Sequence, residues 1–170
     1  MTKYRCDTCK AGCKPTSCPS MILENLPLWI TYVIGAIIFF LIWWPLAVIF
    51  LEICILSIIL HMGLICPHCY HYGTNTCPSG YGMVSTKWFS PGRKQEFSVV
   101  FKRWIWVVFP GWILPPLGAG YLLVQDWKSI PVWVLLIAFC IVGFLILPIV
   151  SKQYGCKKCR NKSNCPWGPD

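Results

Sequence analysis

The apolar run from about Leu26 to Ile65, interrupted only by Glu52 and His61, sets the first limit on this chain. Drawn as one helix, it would reach roughly 60 Å, about twice the hydrocarbon thickness of a bilayer. Such a run has to fold back. Trp43-Trp44-Pro45 is the expected turn. Proline lacks a backbone donor and disfavours helix at the residue before it, and paired tryptophans suit a membrane interface. The pattern predicts one helix from about Pro27 to Trp43 and a second from about Leu46 to Leu64.

The rest of the chain repeats the plan. A polar loop from Cys66 to about Ser98 leads to a third span, from about Trp104 to Val124. Pro110, Pro115 and Pro116 lie within that span and predict a kink or a partly unwound stretch. After the short connection Gln125-Asp126-Trp127-Lys128-Ser129, a fourth span runs from about Pro131 to Val150. Composition agrees: 56% of the residues are hydrophobic and 12% charged, against about 45–50% and about 25% in soluble domains. The expected fold is an all-α integral membrane protein with four transmembrane helices arranged as two hairpins and small cysteine-rich knuckles on one face.

The organisation follows. Residues 1–25 form a cysteine-rich arm, 26–65 the first hairpin, 66–98 a cysteine-rich aqueous loop, 99–150 the second hairpin and 151–170 a cysteine-rich tail. A chain of 170 residues leaves no room for a separate soluble catalytic domain. Its polar, cysteine-rich opening has neither the apolar core nor the cleavage site of a signal peptide.

With four spans, the arm, the middle loop and the tail share one side. Of the 15 Lys and Arg residues, only Lys128 lies on the other side. The positive-inside rule makes the three-segment side cytoplasmic. The net charge of +9 then reflects topology rather than nucleic-acid binding.

Ten of the 12 cysteines fall in those three aqueous segments, in a recurring pattern. Cys6-x2-Cys9 is followed by Cys13 and by Cys18-Pro19. Cys66-Pro67-His68-Cys69 is followed by Cys77-Pro78, and Cys156-x2-Cys159 by Cys165-Pro166. Two cysteines three apart can turn both sulfurs toward one ion, and a more distant cysteine closes the site. Iron–sulfur clusters are held by four thiolates in such runs, including a cysteine followed by proline. Structural zinc uses similar pairs, completed by Cys or His. The arm can lend a fourth ligand to each later triplet. Alternatively, it forms a site of its own, with His68 or His71 or a second subunit completing the others.

The leading expectation is two [4Fe–4S] clusters held by Cys66, Cys69, Cys77, Cys156, Cys159 and Cys165, with Cys6, Cys9, Cys13 and Cys18 completing them. Zinc is the alternative. Disulfides or redox-active thiols come next, because bridges do not persist in a reducing cytoplasm. A zinc site usually staples a small fold lacking its own core, whereas these triplets hang from membrane helices.

This layout resembles the membrane ferredoxin-type subunits of quinol dehydrogenases, which join four helices to cytoplasmic iron–sulfur motifs. The resemblance rests on the helix plan and on the Cys-Pro pairs at Cys18, Cys77 and Cys165. Those subunits carry fuller four-cysteine runs and a Cys-x3-Cys-Pro pattern that this chain lacks. It implies an electron-transfer subunit of a membrane oxidoreductase, working with a quinone or a neighbouring subunit. The rival functions are a zinc-stabilised accessory subunit and a membrane thiol–disulfide oxidoreductase.

Other residues are weighed singly. Glu52, inside the second span, is a candidate for proton uptake or a quinone headgroup, set against a satisfied interfacial carboxylate. His61 reads as an interfacial, hydrogen-bonded histidine, since a bis-histidine haem would need a second membrane histidine. Cys54 and Cys140 read as small hydrophobes. Trp29, Trp43, Trp44, Trp104, Trp106, Trp127 and Trp133 lie near span ends, as interfacial anchors do. No glycine-rich nucleotide loop or hydrolytic triad is present.

Overall fold

The structure, a computed structural model, describes residues 18–155. Helix α1 spans Cys18–Ile42, and α2 spans Trp44–Leu64. A short 3-10 turn, Cys66–His68, follows, then α3, Tyr81–Ser85. Helix α4 covers Phe97–Trp104 and passes through a 3-10 stretch, Ile105–Val108, into α5, Pro110–Gln125. Helix α6, Ile130–Cys140, continues through a π-helical stretch, Ile141–Ile146, into α7, Leu147–Val150. Among the described residues there is no strand. Four helical stretches are long and apolar enough to cross a membrane: Pro19–Ile42, Trp44–His68, Lys94–Gln125 and Ile130–Gln153. That is the make-up of a multi-pass membrane protein.

The first turn is a single residue. Trp43 is extended (φ −169°, ψ 128°). Its N–H closes α1 on the Phe39 carbonyl at 3.0 Å, and its own carbonyl receives the Leu46 N–H at 2.9 Å to open α2. Pro45 falls in the first turn of α2, where its missing donor has no intrahelical use. Helix α1 starts well before the expected Pro27, which lies inside it. Thr31 Oγ1 donates to the Pro27 carbonyl at 2.8 Å.

The prolines act selectively. Unwinding is confined to Ile105–Val108, just ahead of Pro110, whereas Pro115 and Pro116 sit within a continuous α5. Ser57 Oγ of α2 donates to the Val107 carbonyl at 2.6 Å and fixes the unwound stretch to its neighbour. The π-helical stretch lies just ahead of Pro148, which cannot donate to the preceding turn.

Helix α1 packs against α2, α5 and α6, so it is the centre of the bundle. One buried cluster joins Ile38, Ala119, Leu123 and Val132; another joins Tyr32, Phe50 and Cys54. Close approach depends on small residues, as expected where lipid is the solvent. A Cβ on Gly35 would lie 2.7 Å from the Phe50 ring and 2.8 Å from Pro115, and one on Gly111 would lie 2.9 Å from Tyr32. Large apolar side chains such as Val33, Phe40, Ile55, Leu117 and Val134 point outward uncovered. Trp43 and Trp44 are exposed at the first turn, and Trp127 at the α5–α6 connection, where the Trp133 Nε1 donates to the Trp127 carbonyl at 3.1 Å.

The packing carries a direct expectation. Gly35→Ala forces a methyl into Phe50 and Pro115 and costs about 1–3 kcal/mol. Gly120→Ala, with nothing within 4 Å of the added Cβ, is neutral or stabilises by up to about 1 kcal/mol through helix propensity. Unfolding in detergent micelles checks this; equal resistance of the two variants contradicts the α1–α2–α5 contact.

Candidate functional site

The site is built where α2 ends. The last carbonyls of a helix lack intrahelical donors, and here the following loop supplies several. The Ile65 N–H reaches the His61 carbonyl at 3.0 Å, and Ser85 Oγ donates to the Met62 carbonyl at 2.7 Å. His68 Nδ1 lies 3.1 Å from the Leu64 carbonyl. Ser85 is fully buried, so α3 is fastened to α2 away from water. Helix α1 holds the other side: Asn25 Nδ2 donates to the Ser79 carbonyl at 3.0 Å and to the Met21 carbonyl at 2.8 Å. Tyr72 Oη donates to the Phe89 carbonyl.

This scaffold positions the three loop cysteines. Cys66 and Cys69 flank the 3-10 turn, with the Cys69 N–H on the Cys66 carbonyl at 3.0 Å. Cys77-Pro78-Ser79-Gly80 forms the second turn, closed by the Gly80 N–H on the Cys77 carbonyl at 3.3 Å. Gly80 adopts φ 79°, a left-handed conformation that glycine takes without steric cost. The Gly82 N–H then points at Cys77 Sγ, 3.3 Å away. A Cβ on Gly82 would lie 2.8 Å from the His71 carbonyl oxygen and 3.2 Å from Cys77 Sγ, so the approach requires glycine.

Cys66 and Cys77 are each 7% exposed, and Cys69 is half-buried. The Cys66 thiol is within electrostatic reach of Cys77 and Cys69. No disulfide joins any of Cys54, Cys66, Cys69, Cys77 and Cys140. Among the described residues, no group of three or more His, Cys, Asp or Glu side chains is gathered so as to hold a metal ion. The three sulfurs are neighbours that do not converge on one point. Cys6, Cys9, Cys13, Cys156, Cys159 and Cys165 lie outside the described residues, as does the side chain of Cys18.

The two loop histidines have structural partners. His68 turns back to α2 and packs on Gly92, where a Cβ would meet its Nε2 at 2.6 Å. His71 is 2% exposed and shares Nδ1 with Thr76 Oγ1 at 2.9 Å, while Thr74 Oγ1 donates to the His71 carbonyl at 3.0 Å. Glu52 is elsewhere. It lies on the exposed outer face of α2 beside Leu51, Ile55 and Leu56, roughly 20 Å along the helix from Cys66 at the standard rise.

Two polar groups beside the thiols were not apparent as a pair in the sequence. His61 Nδ1 and Tyr81 Oη are both buried without a hydrogen-bond partner. Their rings meet edge to face, with centroids 6.3 Å apart. This differs from the hydrogen-bonded histidine expected at position 61: the helix end turns its ring onto Tyr81 rather than toward the interface. Burial, with contributions from Cys66, Glu24 and Cys77, pushes the Tyr81 phenol up to about 12. The one local signal for Tyr81 was its place in Gly80-Tyr81-Gly82, directly after the Cys77-Pro78 turn. Cys54, 1% exposed against Tyr32 and Phe50, fills the core as a small hydrophobe; Cys140 is exposed on the outer surface.

Tyr81 should be visible in titration. Because burial makes this phenol harder to ionise in the folded state, stability is unaffected below its unfolded value, near 10, and falls as pH climbs from there through about 12. At pH near 10, where an ordinary phenol is half ionised, wild type and Tyr81→Phe are expected to show the same tyrosinate absorbance. Tyr81→Phe also removes an unsatisfied buried hydroxyl, so its thermal stability at neutral pH should equal or exceed that of wild type. A tyrosinate deficit in the variant near pH 10 contradicts the burial. No family model, no curated protein and no solved structure matches the chain.

Proposed function

We propose that the chain is a membrane iron–sulfur electron-transfer protein, one subunit of a membrane oxidoreductase. In this reading the four helices pair as two hairpins, and the arm, loop and tail face the cytoplasm. Electrons pass from a cytoplasmic donor, through clusters at that face, to a membrane acceptor. Cys66, Cys69 and Cys77 hold one cluster and Cys156, Cys159 and Cys165 another, each completed by a thiolate from among Cys6, Cys9, Cys13 and Cys18. The bilayer and other subunits are the partners.

The observation that carries the reading is the buried pair Cys66 and Cys77, with Cys69 within electrostatic reach and the Gly82 N–H on the Cys77 sulfur. Two thiols kept from water, with a half-buried third beside them at the end of an apolar span, suit a redox cluster, whose potential is set by burial and by hydrogen bonds to sulfur. The group would supply one-electron carriage; the chain would hold it, shield it and tune it.

Zinc is the second reading, since the same thiols suit it chemically. Against it stands the fastening of the loop by Asn25, Tyr72 and Ser85, which already does what a zinc staple is used for. A thiol–disulfide exchanger needs an accessible attacking thiolate, and the burial of Cys66 and Cys77 opposes that role.

Substitution separates ligands from bystanders. Cys66→Ser and Cys77→Ser should each lose about half of the bound iron or more, with the matching visible absorbance. Cys54→Ser and Cys140→Ser should keep both. Retention of iron in the first pair, or equal loss in all four variants, overturns the assignment.

A further inference from the structure

The third span is longer than the others. Lys94–Gln125 has 32 residues, against 24 or 25 in each of the other three. At about 1.5 Å per residue, the stretch from Arg103 to Gln125 alone covers roughly 33 Å, close to the hydrocarbon thickness of a bilayer. With Gln125, next to the α5–α6 connection, at one boundary, Arg103 and its neighbour Lys102 stand at the other. They are then level with the phospholipid headgroups, and the earlier turns of α4 lie beyond them.

The side chains at this level are sorted by face. Phe97 is buried and its ring packs on Phe101, so that face of α4 turns inward. Lys102 and Arg103 are exposed, one turn ahead of Trp106, which is 66% exposed. Below Trp106 the outer surface of the span continues through Ile113, Leu117 and Tyr121, four residues apart on one face of α5 and each more than half exposed. The surface thus runs from two cations, past an indole, to an apolar face deep in the span. A phospholipid presents the same order: phosphate, ester zone, acyl chains.

The charge of the two cations is uncompensated. Glu96 is the one acidic residue between Lys87 and Gln125, and it is bonded to Arg93 at 3.2 Å. Lys94 is engaged with the Tyr70 ring, 5.6 Å from its centroid. Among the described residues, Lys102 and Arg103 have no acidic partner. The Arg103 guanidinium lies over the Trp104 ring, 5.7 Å from its centroid. Stacking uses the flat face of a guanidinium and leaves its N–H edge for an acceptor, and phosphate accepts that edge through two oxygens. A soluble anion would use the cations alone, whereas a lipid uses the apolar face below them as well.

We propose that Lys102, Arg103 and Trp106 form a binding site for one anionic phospholipid, with its phosphate on the two cations and its acyl chains along Ile113 and Leu117. The site goes beyond the electron-transfer reading and does not depend on it.

The test uses the full chain in a nonionic detergent, stripped of lipid and titrated with dioleoyl-phosphatidylglycerol or dioleoyl-phosphatidylcholine, with bound lipid counted by native mass spectrometry. Wild type should take up one phosphatidylglycerol at a concentration well below that needed for phosphatidylcholine. A cation beside an anionic headgroup is worth about fivefold in affinity. Lys102→Gln and Arg103→Gln should therefore each weaken phosphatidylglycerol binding about fivefold and leave phosphatidylcholine binding and helicity unchanged. The double exchange of Lys102→Arg with Arg103→Lys keeps both charges and should keep the preference; its loss there overturns the electrostatic account. Lys128→Gln, at the opposite end of the span, should match wild type, and a loss there equal to that in the glutamine variants overturns the site. Equal affinity of wild type for the two lipids overturns the proposal without any variant. So does displacement of phosphatidylglycerol by millimolar inorganic phosphate, which marks a soluble-anion site.

Discussion

The structure depends on how the backbone at the C-terminal end of α2 is satisfied as it leaves the apolar region. Carbonyls there have lost their helical donors, and at the edge of a membrane they cannot count on water. Ser85 and the backbone of Ile65 answer two of them, and the ring of His68 lies against a third. Each of these contacts pulls a different part of the loop onto the helix end. The loop is thereby ordered by the helix it follows, and Cys66, Cys69 and Cys77 come to lie close together. Asn25 repeats the device from α1 by donating to Ser79. The thiols and the Tyr81–His61 pair are consequences of these fastenings.

Within the bundle the same economy of polar groups is met by small residues. Gly35, Gly111 and Gly118 let aromatic rings from neighbouring helices approach the backbone. Ser57 supplies a hydroxyl where the 3-10 stretch leaves the Val107 carbonyl in need of a donor. The outer faces are apolar and uncovered, and that surface continues without interruption into a groove beside Tyr81. The functional proposal stands on the buried thiols Cys66 and Cys77 at the end of α2, not on these outer faces.

The spans were legible because hydropathy integrates over many residues; their boundaries were not. Pro27 read as a helix start, yet α1 runs through it from Cys18, with Thr31 Oγ1 donating to the Pro27 carbonyl. Pro115 and Pro116 looked as disruptive as Pro110, but only the turn ahead of Pro110 unwinds, where Ser57 can compensate. In the loop, the spacing of Cys66, Cys69 and Cys77 placed them in one short segment after α2, while their role as ligands remains the proposal. The Tyr81–His61 pair was not legible, because a residue in α2 meets one in α3 only through the docking of the loop, a contact no local pattern encodes. Glu52 stood out as a charge in an apolar run, but helical phase puts it on the outer face, away from the thiols.

The most direct test is to quantify iron, inorganic sulfide and zinc, with an absorption spectrum, on anaerobically purified full-length protein. The account predicts iron and sulfide in equal amounts, near eight of each per chain if both clusters are of the four-iron type, with broad visible absorbance that bleaches on reduction. A colourless protein carrying stoichiometric zinc, or one with neither metal nor sulfide, would contradict it.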